Sequence, residues 1–320
     1  MVNDKWYDYF LEALLAKFPK KVQLTRALME LLELEREAVY RRLRKDVVFH
    51  FDEIVTIAAA WNISLDKISN ISTGLIPFQM QSINYVDYSK QEKHYVQQSI
   101  QSIHYIRNFP DAEAMDICNK LPRSLFTGFD SLYKFYLFKW IYQYGNEKDV
   151  IPFSQVSVLG GNPHLKSEFY QATKLVPNTS YILDRMLFEY LIHDIQYFHS
   201  VQMITDKEKE LIKKDLHKLL DYMLEVANRG YFPETQNKVN FYISQLNINT
   251  NYSYLYAPDT KVCFIHVFDK YEIQSFDADM VTNFKTWMQL KKRTSIQISE
   301  VDEKRRIEFF SKQHKLVDSL

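Results

Sequence analysis

Apolar residues in the first 70 positions recur three and four apart, the spacing that gathers them on one face of a helix. Trp6, Phe10, Leu11, Leu14, Leu15 and Phe18 predict a first helix, closed by Pro19. Leu24, Leu28, Leu31 and Leu32 form a second stripe, Val39 and Leu43 a third, and Ile54, Ile57, Ala58 and Trp61 a fourth that Asn62 stops. Ser64 suits the N-cap of a short fifth helix carrying Leu65 and Ile68, because its hydroxyl can accept from a free N–H of the first turn. Five such helices predict a small domain over residues 1–70.

From 71 to 89 the pattern lapses, and Gly74, Pro77 and clusters of polar residues predict a linker. Residues 90–107 are amphipathic through Tyr95, Val96, Ile100, Ile103 and Ile106. Residues 130–144 are apolar almost all round, as in a buried helix. Two further helices are predicted over 179–200 and 205–228, the second opened by Asp206 and Lys207 and closed by Gly230. Short β-branched and aromatic runs then alternate with Asn, Pro and Asp, which predicts a small antiparallel sheet near 239–276. Helices near 278–292 and 301–318 complete the expectation. The fold class is mainly α: a five-helix N-terminal domain, a linker, and a larger helical domain over 90–320 with one small sheet.

Composition sharpens this picture in three places. Only 6 glycines occur in 320 residues, which favours helices over a turn-rich sheet architecture. Forty basic residues balance forty acidic ones, so any attraction for a polyanion must come from a local patch. Cys118 and Cys263 are too few for a disulfide framework or a cysteine metal cluster and read as buried thiols of a reducing compartment. The early acids and broken apolar run of the N-terminus do not read as a signal peptide. No segment approaches the roughly 18 apolar residues of a membrane span. A soluble, cytoplasmic protein with no membrane partner is expected.

One local patch exists. Residues 36–45, "REAVYRRLRK", hold Arg36, Arg41, Arg42, Arg44 and Lys45 around a tyrosine. On a helix with Val39 and Leu43 inward, Arg36, Tyr40 and Arg44 line another face, with Glu37, Arg41 and Lys45 beside it. A short turn joins this helix to the one before. A helix, a tight turn and a helix with an exposed basic and aromatic face form a helix-turn-helix, whose second helix fits the major groove. Arginine suits that position because its planar fork meets guanine or phosphate with paired donors.

In the order of these elements, in the spacing of Leu28, Leu32, Leu34 and Val39, and in "FDEIVTIAAAWNISLDKI", residues 5–69 resemble the lambda-repressor-like helix-turn-helix regulators. The resemblance spans about a fifth of the chain. It implies a sequence-specific transcriptional regulator that binds double-stranded DNA, with a recognition helix over about 36–45. Carried over, Arg36, Glu37, Tyr40 and Arg41 would face bases, and Thr25, Arg26, Arg44 and Lys45 would lie nearer the phosphates. Two positions depart from the family: Met29 stands where a small residue is usual, and Glu33 where glycine is usual at the turn.

Residues 1–70 carry eleven basic and eleven acidic side chains, so a single copy should bind modestly, and a homodimer is expected. Residues 90–320 are left to dimerise and to receive an effector, a small molecule or a protein. Glu33, Glu35 and Glu37 beside the contact face motivate the alternative of a protein-interaction adaptor that no longer binds DNA. His193 and His199, six apart, do not share a helix face, and "LGGNPH" over 159–164 lacks the lysine and spacing of a phosphate loop. No catalytic, metal or cofactor motif is legible, and no enzyme activity is expected.

Overall fold

Leucine and aromatic spacing in the first unit resolves into four described helices. The computed structural model describes residues 5–18, 20–61, 63–65, 68, 76, 78–80, 88–145, 151–159, 162–267 and 271–320. The chain divides into two compact units, Met1–Pro77 and Phe78–Leu320. In the first, α1 (Lys5–Lys17), α2 (Lys21–Leu32), α3 (Arg36–Leu43) and α4 (Phe51–Trp61) follow the predicted order. Phe10, Leu14, Leu24, Leu28, Val39 and Ile57 lose all contact with solvent and pack together with Tyr7 and Phe49. Each such side chain contributes roughly 1.5–3 kcal/mol on burial, so this small core is what holds the helices in place. Tyr7 fastens it: its hydroxyl donates to the Arg42 carbonyl at 3.0 Å and accepts from the Phe49 N–H at 3.2 Å. Pro19, Asn62 and most of the expected fifth helix lie outside the described residues, although Leu65 and Ile68 pack against the same core.

The expected linker over 71–89 lies largely outside the described residues too. Within it, Gln79–Met80 is a strand, β1, which pairs antiparallel with a later strand. Gln79–Met80 is thus part of the second unit's sheet.

The second unit is built on one mixed sheet. Its strands are β1, β2 (Glu113–Cys118), β3 (Asn178–Asp184), β4 (Lys238–Ser244), β5 (Tyr252–Ala257), β6 (Thr260–Val267), β7 (Tyr271–Ser275) and β8 (Ser295–Gln297), in the order β1-β7-β6-β5-β2-β3-β4-β8. The expectation of a small antiparallel sheet needs correction. β5, β6 and β7 do form an antiparallel meander, but β2, β3 and β4 run parallel, and β4 lies beside β3 and β8 instead of β5. Parallel neighbours need long crossovers. Those crossovers are α6 (Arg123–Phe126), α7 (Asp130–Tyr144) and α8 (Pro163–Ala172) between β2 and β3, then α9 (Leu187–Ser200) and α10 (Asp206–Arg229) between β3 and β4. α5 (Tyr88–Ile106), α11 (Ala278–Leu290) and α12 (Glu303–Asp318) complete the described α-helices of four or more residues.

Strand alternation sorts the core into two layers. Tyr181, Leu183, Phe241 and Ile243 face the main body of helices, where α7 buries Leu132, Phe135, Phe138, Trp140 and Ile141. Met115, Ile117, Ile182, Tyr254 and Cys263 face the other way, against Val281, Phe284 and Met288 of α11. Among the described residues no helix is long and apolar enough to cross a membrane.

Candidate nucleic-acid interface

The turn between α2 and α3 is where backbone geometry departs from the ordinary. Glu33 lies in the left-handed region (φ 53°, ψ 39°), and the Leu34 N–H closes the turn onto the Met29 carbonyl at 3.3 Å. This is the conformation that favours glycine at a helix C-terminus. At the far end of α3, Lys45 is also left-handed (φ 67°), with Asp46 N–H bonded to the Arg41 carbonyl at 2.9 Å and Lys45 N–H to that of Arg42 at 3.1 Å. Those paired bonds form a Schellman closure, so α3 is a rod of eight residues bounded by two left-handed turns.

Its inward side is not purely aliphatic. Val39 is fully buried and Leu43 half-buried, and Arg42 is buried beside them. The Arg42 guanidinium grips the Glu53 carboxylate with two bonds, Nη2 to Oε1 at 2.7 Å and Nε to Oε2 at 2.9 Å, and Nη1 donates to the Ala38 carbonyl at 3.2 Å. His50 N–H adds a bond to Glu53 at 2.8 Å. Burial alone would raise the Glu53 pKa, but the Arg42 and His50 bonds outweigh it and hold the carboxyl below its ordinary range. Of the five basic side chains in the run, Arg42 is thus a fastener of α3 to α4. The sequence pattern misses this because an arginine among arginines carries no mark of burial; Glu53, eleven residues on, is its partner.

The remaining basic residues point outward. Arg36 donates to the Tyr40 hydroxyl at 3.1 Å, with its guanidinium 5.3 Å from the ring centre, a contact that raises the arginine pKa and lowers that of the phenol. Arg41 is exposed and has no side-chain hydrogen bond or ion pair among the described residues. Arg44 pairs with Glu37 at 2.8 Å and with Asp46 at 3.2 Å, and Lys45 pairs with Asp8, all in solvent. Arg26 pairs with Glu30 at 2.9 Å on exposed α2 surface. Thr25 differs from the rest: it is buried, and its hydroxyl donates to the Lys21 carbonyl at 2.8 Å.

Exposed pairs of this kind contribute little, about 0–1 kcal/mol, and exchange readily for another anion. The outward face therefore offers Arg36, Tyr40, Arg41 and Arg44, with Glu37 set among them. One neighbouring feature escaped the sequence reading. Lys20 stands at the N-cap of α2 without a side-chain cap bond, and Lys20 and Lys21 are exposed there. The legible signal was the lack of Ser, Thr, Asp or Asn at that position. No protein-family model, no curated protein and no solved structure matches the chain.

Proposed function

We propose that residues 1–70 form a lambda-repressor-like helix-turn-helix domain that binds double-stranded DNA, and that the chain is a transcriptional regulator acting as a dimer. The supporting observation is the division of α3: Val39 and Arg42 turn inward, while Arg36, Tyr40, Arg41 and Arg44 stand on accessible surface after a left-handed turn at Glu33. Affinity comes from neutralising phosphates, and discrimination from guanidinium groups reaching base edges. Glu37 has a part in this as well, since a carboxylate accepts from the cytosine amino group. The larger unit supplies dimerisation and the place where an effector acts.

The rival reading is an adaptor whose helix-turn-helix contacts protein. It is favoured by the Glu37–Arg44 pair and by exposed Glu33 and Glu35, which oppose phosphate. Selection of duplexes from a random-sequence DNA pool with the purified chain separates the two. The regulator enriches a motif with two half-sites about one helical turn apart. A pool that stays random, with no retention of duplex at low salt, leaves the adaptor.

A further inference from the structure

His217 and Asp221 stand four apart on α10, and His314 and Asp318 stand four apart on α12, so each helix carries its pair on one face. The two helices pack together, and Leu216 and Leu220 of α10 share one buried core with Phe310 and Val317 of α12. At the half-buried edge of that seam the histidines meet, Nδ1 to Nδ1 at 2.9 Å. Their ring planes are 10° apart and their ring centres 5.2 Å apart, which places the rings edge to edge with both nitrogens on the line between the centres. Each outer nitrogen faces a carboxylate of the other helix: His217 Nε2 lies 3.2 Å from Asp318, and His314 Nε2 lies 3.3 Å from Asp221. The row Asp318, His217, His314, Asp221 therefore crosses from one helix to the other three times.

The surrounding charges are already engaged. Lys213 of α10 donates to the Asp318 backbone carbonyl at 2.8 Å, and Lys312 of α12 pairs with Glu189 of α9 at 2.8 Å. Beside His217, Asp215 and Lys218 pair with each other at 3.0 Å. Among the described residues no other charged side chain pairs with either ring.

The number of protons in the row decides what holds it. A ring nitrogen is either a donor N–H or a lone pair. Between the rings, two lone pairs repel and two N–H groups collide, so the 2.9 Å contact is a bond only with one proton in it. At the outer ends an N–H attracts the facing carboxylate and a lone pair repels it. Three N–H groups on two rings satisfy all three places, and the pair then carries one positive charge. With two, one place goes unmade; with four, the inner N–H groups are driven against each other. A zinc ion on the line between the rings would need the nitrogens about 4 Å apart, so a proton is what fits.

We infer that His217 and His314 share one proton and that the singly charged pair, set between Asp318 and Asp221, is a pH-dependent fastening of α12 onto α10. It is tightest with three N–H groups on the two rings and loosens in both directions, on gaining a proton and on losing one. Phe310 and Val317 keep α12 seated throughout, so the pair tunes how often the helix opens rather than releasing it. Nothing in this fastening depends on the DNA-binding reading.

The test is nuclear magnetic resonance of the full chain carrying isotope-labelled histidine, joined to amide hydrogen exchange of α12 over a range of pH. A shared proton gives a nitrogen–nitrogen coupling between the two Nδ1 atoms. Protection of the α12 amides, scaled for the intrinsic pH dependence of exchange, should pass through a maximum where that coupling is strongest. It should fall about twofold to tenfold on either side, the range of one hydrogen bond. Protonation of Asp221 and Asp318 adds to the loss on the acid side and leaves the alkaline side to the histidines alone. His314→Asn sets an amide where Nδ1 stood, able to donate or accept and unable to titrate, so the alkaline fall should vanish. Two resolved histidines with no coupling at any pH overturn the shared proton. A coupling without a maximum in protection, or an alkaline fall of parental size in His314→Asn, overturns the fastening. The spectrum and exchange profile of the parent decide the matter even if the variant does not fold.

Discussion

Among the arginines of α3, two make opposite claims on the fold. Arg42 is nearly buried and doubly bonded to Glu53, and removing either partner strands the other in a site with little water. Because the Glu53 pKa is lowered in the folded state, its contribution is complete above the ordinary value of 4.5 and is lost as the pH falls through the lower folded value. We expect Arg42→Met to destabilise the first unit by about 2–4 kcal/mol at neutral pH and to flatten its acid-unfolding curve below pH 4.5. Circular dichroism against denaturant at several pH values reads both effects; a variant with the parental acid profile shows that Glu53 is held by something else. Arg41, exposed and unpaired among the described residues, contributes nothing comparable to stability. Arg41→Ala should leave the unfolding midpoint in place and weaken binding to the selected duplex by about 1–3 kcal/mol, more than to random duplex. Equal losses on the two duplexes would assign Arg41 to phosphate instead.

At the level of elements, left-handed turns bound the pieces that matter, and substitution there has a computable sign. Glu33 occupies a left-handed position that costs a side-chain-bearing residue roughly 1 kcal/mol relative to glycine. Glu33→Gly should therefore raise the stability of the first unit by up to about 1 kcal/mol, less the entropy that glycine gives the unfolded chain. Gly230 presents the reverse case. It closes α10 at φ 73°, so Gly230→Ala meets backbone strain, while the exposed Glu300 side chain, 2.4 Å from the added Cβ, must swing aside. A loss of about 1–2 kcal/mol in the second unit, read by thermal unfolding, is expected. The end at Gly230 was legible in the sequence because glycine is a local signal, and the capping box of Thr205 and Glu208 that starts α10 is another such signal. The strands of the parallel core were not legible. β3, "NTSYILD", is buried on both faces, so it lacks alternation and runs into the apolar start of α9, which makes 179–200 read as one helix. β2, "EAMDIC", opens on three residues that favour helices, and its pairing with β3 and β5 makes it a strand.

For the whole molecule, the balance of charge decides how the proposed DNA binding would behave. The first 70 residues carry as many acids as bases, so no long-range field draws a duplex in, and the phosphate term rests on a handful of exposed cations. Arg26, Arg44 and Lys45 each have a carboxylate partner in solvent that a phosphate must displace. The displaced Glu30, Glu37 and Asp8 then remain near the backbone and take back part of the gain. Counting about three phosphate contacts for each copy, log K should fall against log salt concentration with a slope near −3 for one domain and near −6 for a dimer seated on two half-sites. The slope thus reports stoichiometry as well as mechanism, and it does so independently of operator sequence. Fluorescence anisotropy of a labelled duplex across a salt series measures it, with sedimentation of the complex to count copies. A slope near zero would mean that the acids cancel the bases at contact, which is the adaptor's signature. A slope of dimer size that falls by half when binding is confined to one half-site would show two α3 helices engaging the duplex together.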